Sequence, residues 1–183
     1  MTAQIPDSII YEGEEFSLVG VKGKGLYIPE DFGIEPHFRS TACWRGYVMR
    51  YSFNNGQLIL DRILINTNNP LKINEIEPQN LKEIGSFDYC YENINFKTDF
   101  TGTLLLAKDF IQVMYVHMGF QRPMAYKTVI EIRIENGTII STRDLSKNME
   151  EYRKLDISRD AQPQSNSRKD IENWVKRTFS LDY

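Results

Sequence analysis

The chain has 183 residues, 41% of them hydrophobic and 26% charged, with a formal net charge of −3. That length suits one domain, here residues 1–183, and a chain of this size buries about 70% of its unfolded surface without needing disulfides or metals. The mixed charge argues against general nucleic-acid binding, which needs a concentrated positive face, and apolar residues along most of the chain exclude wholesale disorder.

The opening residues Met1 to Asp7 lack the basic and apolar regions of a signal peptide, and no run approaches the roughly 18 apolar residues of a membrane-spanning helix. Cys43 and Cys90 are the only cysteines. Two buried thiols in a reducing compartment, hence a cytoplasmic protein, are the expectation, with a disulfide as the alternative.

The first predicted element is a hairpin, 8–11 with 16–20, across Glu12-Gly13-Glu14. Residues 21–42 are rich in Gly and Pro and read as loops or short edge elements. Within them Gly20-Val21-Lys22-Gly23-Lys24-Gly25 lacks the Gly-Lys-Ser/Thr ending of a P-loop and reads as a turn. Asp31-Phe32-Gly33 lacks the companion motifs of a kinase. Asn55-Gly56 joins strands at 47–53 and 58–65, because Asn-Gly adopts the two positive φ angles of a type I′ turn cheaply. Residues 66–85 likewise read as loops or short edge elements. A further hairpin is expected to join 103–107 to 110–118 through Lys108-Asp109. A second Asn-Gly turn at 136–137 joins 129–135 to 138–142. Helical spacing appears only from about 145 to 181: one helix over 145–155, a polar linker at 160–166, and a second helix opened by Ser167. That second helix carries the stripe Ile171, Trp174, Val175 and Phe179 and is expected to pack on the sheet, with a detachable partner-binding helix as the alternative. The fold class is therefore α+β: mainly antiparallel β, a curled or barrel-like sheet built from hairpins, with two C-terminal helices. The likeness of Leu26–Phe32 to Leu104–Phe110, each followed by an Asn-Gly hairpin, raises an internal duplication as a further expectation.

Two segments carry the candidate chemistry. Along Trp44 to Phe53, alternation puts Arg45, Tyr47, Met49, Tyr51 and Phe53 on one face, which the aromatics mark as the core face. Arg45 at its end either forks onto an anion or stacks on Tyr47, or else pairs with a structural carboxylate. In the second segment Ile111, Val113, Tyr115 and His117 share a face of a strand expected to be covered on both sides, and Gln121, Arg122 and Tyr126 follow. His117 is either the polar lip of a pocket or a core histidine. Two histidines and two scattered cysteines make a poor metal site, and no cofactor motif is present.

The run Ser40-Thr41-Ala42-Cys43-Trp44-Arg45-Gly46-Tyr47, followed by Leu58-Ile59-Leu60, resembles a group of uncharacterised bacterial proteins with a Trp-Arg-Gly-Tyr-like strand start. The resemblance implies a bacterial β-rich domain and carries no activity. The leading expectation is a non-catalytic binding or protein-interaction module, of accessory or immunity type, favoured by the many Tyr, Phe, Met and Arg residues. One alternative is a small-ligand binder whose pocket is lined by Tyr47, Tyr51, Tyr115 and Tyr126 with Arg45 and His117. Another is an enzyme with His117 as general acid or base beside Arg45.

Overall fold

Three tight turns set the hairpins. Glu12-Gly13, Asn55-Gly56 and Asn136-Gly137 each place both residues at positive φ (52° and 81°, 50° and 78°, 47° and 75°), the type I′ geometry that matches strand twist. The computed structural model describes residues 2–83, 85–155 and 165–179. Its strands are β1 (Ser8–Tyr11), β2 (Glu14–Lys24), β3 (Tyr47–Asn54), β4 (Gln57–Ile65), β5 (Gln79–Asn80), β6 (Tyr89–Tyr91), β7 (Phe96–Lys97), β8 (Thr101–Phe110), β9 (Tyr126–Glu135) and β10 (Thr138–Asp144). Helices α1 (Ser146–Leu155) and α2 (Arg168–Phe179) follow.

The sheet runs β10-β9-β8-β2-β1-β3-β4-β6-β5, and Thr138 of β10 returns to pair with Gln57 of β4. The result is a curled, barrel-like ring. Every pairing is antiparallel except β1 with β3. Two bulges make the curl compatible with one buried face. Val19 is the extra residue in β2 and Asp61 the extra residue in β4. Phe16 and Leu18 point inward before the first bulge, and Val21 after it; Leu58 and Leu60 precede the second, and Ile63 and Ile65 follow. Strict alternation would have turned the second half of each strand outward.

The ring's interior is filled by side chains, among them Ile9, Met49, Tyr51, Tyr91, Phe100 and Leu104, all at most 1% exposed. A smaller outer cluster joins Val19, Leu105, Ala107 and Val129 to Leu145 and Met149, so α1 covers the back of β8 and β9. Arg153 of α1 fixes that placement by donating through Nη1 to the carbonyls of Met124 (2.9 Å) and Tyr126 (2.8 Å).

Several expectations need correction. The Lys108-Asp109 hairpin is absent: β8 continues to Phe110, which pairs with Tyr126, and the chain from 111 to 125 leaves the sheet. Pro123 opens a short 3₁₀ turn there (Pro123–Ala125), and Val113 is 92% exposed, so no strand covered on both faces exists at 111–118. Gly20 to Lys24 is strand rather than turn, because Gly23 faces Gly102 across the ladder and a Cβ on Gly23 would lie 2.3 Å from the Thr101 carbonyl. Leu26 to Phe32 is irregular chain ending in a 3₁₀ turn, whereas Leu104 to Phe110 is strand, so their likeness marks no structural repeat. In helix α2, Ile171 and Val175 of the predicted stripe are 40% and 41% exposed, and Trp174 is half-buried. The predicted linker at 160–164, and residues 180–181 of the predicted helical end, lie outside the described residues.

Candidate functional site

A cleft of about 470 Å³ opens where the chain leaves β2 and enters β3, beside the start of β1. Its polar floor is one ion pair. Arg45 donates to the Asp7 carboxylate through Nη1 (2.9 Å) and Nη2 (2.5 Å), and through Nε to the Tyr47 carbonyl (2.9 Å). Asp7 also accepts the Met49 amide at 2.6 Å. The guanidinium lies 4.7 Å from the Tyr47 ring centroid and 5.8 Å from that of Phe120. Burial disfavours the Arg45 charge, but Asp7, with Tyr47 and Cys43 adding to it, offsets that, and the net shift of its pKa is upward. Of the five guanidinium N–H groups, three are therefore spent inside the protein.

The N-terminal segment holds the cleft together. Gln4 donates its side-chain amide to the Thr41 carbonyl (2.9 Å) and accepts the Trp44 amide (2.9 Å), while its own backbone N–H reaches Gly119 O (2.8 Å). The loop carrying Phe38, Trp44 and Arg45 is closed at its base by Asn66, whose carbonyl accepts the His37 amide and whose N–H donates to Gly46 O, both at 2.8 Å. Gly46 sits at φ 77°, and a Cβ there would lie 2.3 Å from His37 O. Only glycine fits that crossing.

Aromatic side chains form the walls. Tyr27, Trp44, Tyr47, Tyr51 and Phe120 line the cleft with Ile28. Tyr51 is 1% exposed and donates its hydroxyl to Tyr27 O (3.1 Å); Tyr27 donates its own to Lys97 O (3.0 Å). Burial pushes the Tyr51 phenol well above its ordinary value. Burial also raises Tyr47, against Arg45, which lowers it. At the rim, Phe38 and Trp44 are 57% and 52% exposed and meet edge to face, centroids 6.2 Å apart. Neither the Tyr47 hydroxyl nor the Trp44 indole N–H has a hydrogen-bond partner among the described residues.

The structure thus brings Arg45, Tyr47 and Tyr51 together and places the other candidates elsewhere. Tyr115 and His117, both exposed, stack edge to face on the 111–125 segment, centroids 5.0 Å apart. Gln121 satisfies the Val116 backbone at 3.0 and 2.8 Å, a local clasp. Arg122 is half-buried on the same segment. Tyr126 is buried in the outer cluster against Phe110, its phenol raised by burial. His117 does not line the cleft, so the meeting of Arg45 and His117 that the enzyme reading requires is not found there. Asp7, Gln4, Tyr27 and Phe120 were not legible as site residues, because long-range chain crossings recruit them and no local pattern marks them.

Both cysteines are free and buried. Burial raises both thiols, Cys90 to about 11, which disfavours a thiolate nucleophile. Among the described residues no three His, Cys, Asp or Glu side chains gather as a metal site requires, and no helix is long and apolar enough to cross a membrane. Comparison with known proteins found no matching family model, no matching curated protein and no matching solved structure.

Proposed function

We propose that this protein is a non-catalytic binding module that docks a protein partner through the aromatic-rimmed cleft between the N-terminal segment and the Phe38–Trp44 loop. The observation that carries the reading is the exposed Phe38–Trp44 pair, held on a loop anchored at both ends rather than folded into the core. Large aromatics of this kind anchor interfaces, because they bury much area at little entropic cost. The polar groups beneath them support binding rather than turnover: Arg45 is engaged by Asp7, and the phenols nearby are raised in pKa. A bacterial accessory or immunity-type role, and cytoplasmic residence, belong to the same reading. Bacterial origin is supported by the Trp44-Arg45-Gly46-Tyr47 resemblance, and cytoplasmic residence by two free buried thiols.

Co-purification of the wild-type chain against a Phe38→Ser/Trp44→Ser variant tests it. A partner retained by the wild type and lost by an equally stable double variant is expected. Equal retention by both would refute the docking face.

The small-ligand reading keeps one specific support. The cleft's volume falls within the roughly 300–1,000 Å³ of ligand pockets, and the Tyr47 hydroxyl and Trp44 indole N–H are available to orient a ligand. A metabolite that raises the melting temperature of the wild type but not of Tyr47→Ala would favour it.

A further inference from the structure

The side chains lining the cleft offer donors and few acceptors. Their carboxylate and amide oxygens are engaged: Asp7 accepts two bonds from Arg45 and one from the Met49 amide, and the Gln4 side-chain carbonyl accepts the Trp44 amide. The donors are not all engaged. The Trp44 indole N–H and the Tyr47 hydroxyl have no partner among the described residues, and only three of the five Arg45 N–H groups are spent. Rings and alkyl groups of Tyr27, Tyr51, Phe120 and Leu26 complete the wall. Asp7 and Arg45 are the only charged residues of the lining, and they pair with each other. An anion would sit beside the Asp7 carboxylate, and a cation beside the Arg45 guanidinium, which already covers the Tyr47 ring. The lining therefore suits an occupant that is uncharged, apolar and rich in acceptors.

We infer that the cleft binds a proline-rich segment of the partner protein in the polyproline II conformation. Proline supplies what the lining lacks: a carbonyl acceptor and an apolar ring, with no charge and no backbone N–H. Any other residue type would add a backbone N–H that the engaged oxygens of Asp7 and Gln4 cannot take. Pyrrolidine rings would lie against Tyr27 and Trp44, and carbonyls would accept from the Trp44 indole and the Tyr47 hydroxyl. Polyproline II is formed before binding, so docking in an aromatic-lined groove costs little conformational entropy. The inference rests on the cleft being the docking face.

The test uses the full chain and follows the Trp44 indole N–H by NMR, its resonance identified by its absence from Trp44→Phe. Blocked oligoproline is titrated beside Gly-Ser, oligolysine and oligoglutamate peptides of equal length. A saturable shift with oligoproline alone is expected. Tyr47→Phe, which keeps the ring and removes the hydroxyl, should weaken that binding about fivefold, the equivalent of roughly 1 kcal/mol, whereas Ile140→Ser, on β10, should leave it unchanged. A Gly-Ser peptide binding as well as oligoproline would overturn the proline preference, and a charged peptide binding as well would overturn the uncharged occupant. No response to oligoproline, or a response indifferent to Tyr47→Phe, would overturn the inference outright. Failure of the docking face itself is read separately, from partner retention by the Phe38→Ser/Trp44→Ser variant.

Discussion

Asp7 accepts two hydrogen bonds from Arg45 and one from the Met49 amide, and its side chain is only 11% exposed. Removing one partner of such a pair leaves the other charge uncompensated, at a typical cost of about 3 kcal/mol. Asp7→Ala and Arg45→Met each remove one partner, so both should lower the unfolding free energy measured in urea by that order. Asp144 gives a second test at this scale. The Ser146 hydroxyl first, and then the Ser146 amide at the start of α1 (2.8 Å), hold the Asp144 pKa below the usual carboxylate value. A lowered folded-state pKa contributes stability above the unfolded value and loses it as pH falls through the folded one. Asp144→Ala should thus cost about 1 kcal/mol at neutral pH, and the gap from wild type should close in acid. A gap that persists unchanged at low pH would contradict this assignment.

At the scale of elements, the bulge at Val19 lets one strand serve two clusters, with Leu18 inside the ring and Val19 outside against Leu105 and Ala107. Inserting one residue between Gly20 and Val21 would shift every later residue of β2 to the opposite face. The expected outcome is loss of the cooperative unfolding transition, read by circular dichroism on heating. A cooperative transition near the wild-type temperature would refute the parity argument. The same element shows what sequence can reveal. Hairpins at Asn55-Gly56 and Asn136-Gly137 were readable because turn chemistry is local, as was the inward face of Tyr47, Met49 and Tyr51. The bulges, the parallel β1–β3 pair and the return of Thr138 to Gln57 depend on strands far apart in the chain, and no local signal encodes them. Residues 111–118 misled for a related reason. Their apolar alternation suits a strand, but β9 already occupies the ladder position beside β8.

For the whole molecule, burial of Cys90 links folding to alkaline pH. Its thiol rises from near 9 to about 11 in the folded state, through burial first and then Glu92. A raised pKa stabilises the fold below the unfolded value and loses that contribution as pH climbs toward the folded one. Stability should fall between about pH 9 and 11, and Cys90→Ala should flatten that part of the curve. An identical slope in the variant would count against the burial. At this scale the ring is a filled scaffold, and the N-terminal segment, the Phe38–Trp44 loop and Phe120 build one cleft at its margin. The most direct check is a photo-crosslinking amino acid placed at position 44 and, as a control, at Ile140, which is similarly exposed at 54% but lies on β10. Position 44 should yield a discrete crosslinked partner in living cells and position 140 none; equal crosslinking at both positions, or none at 44, would contradict a docking face at the cleft.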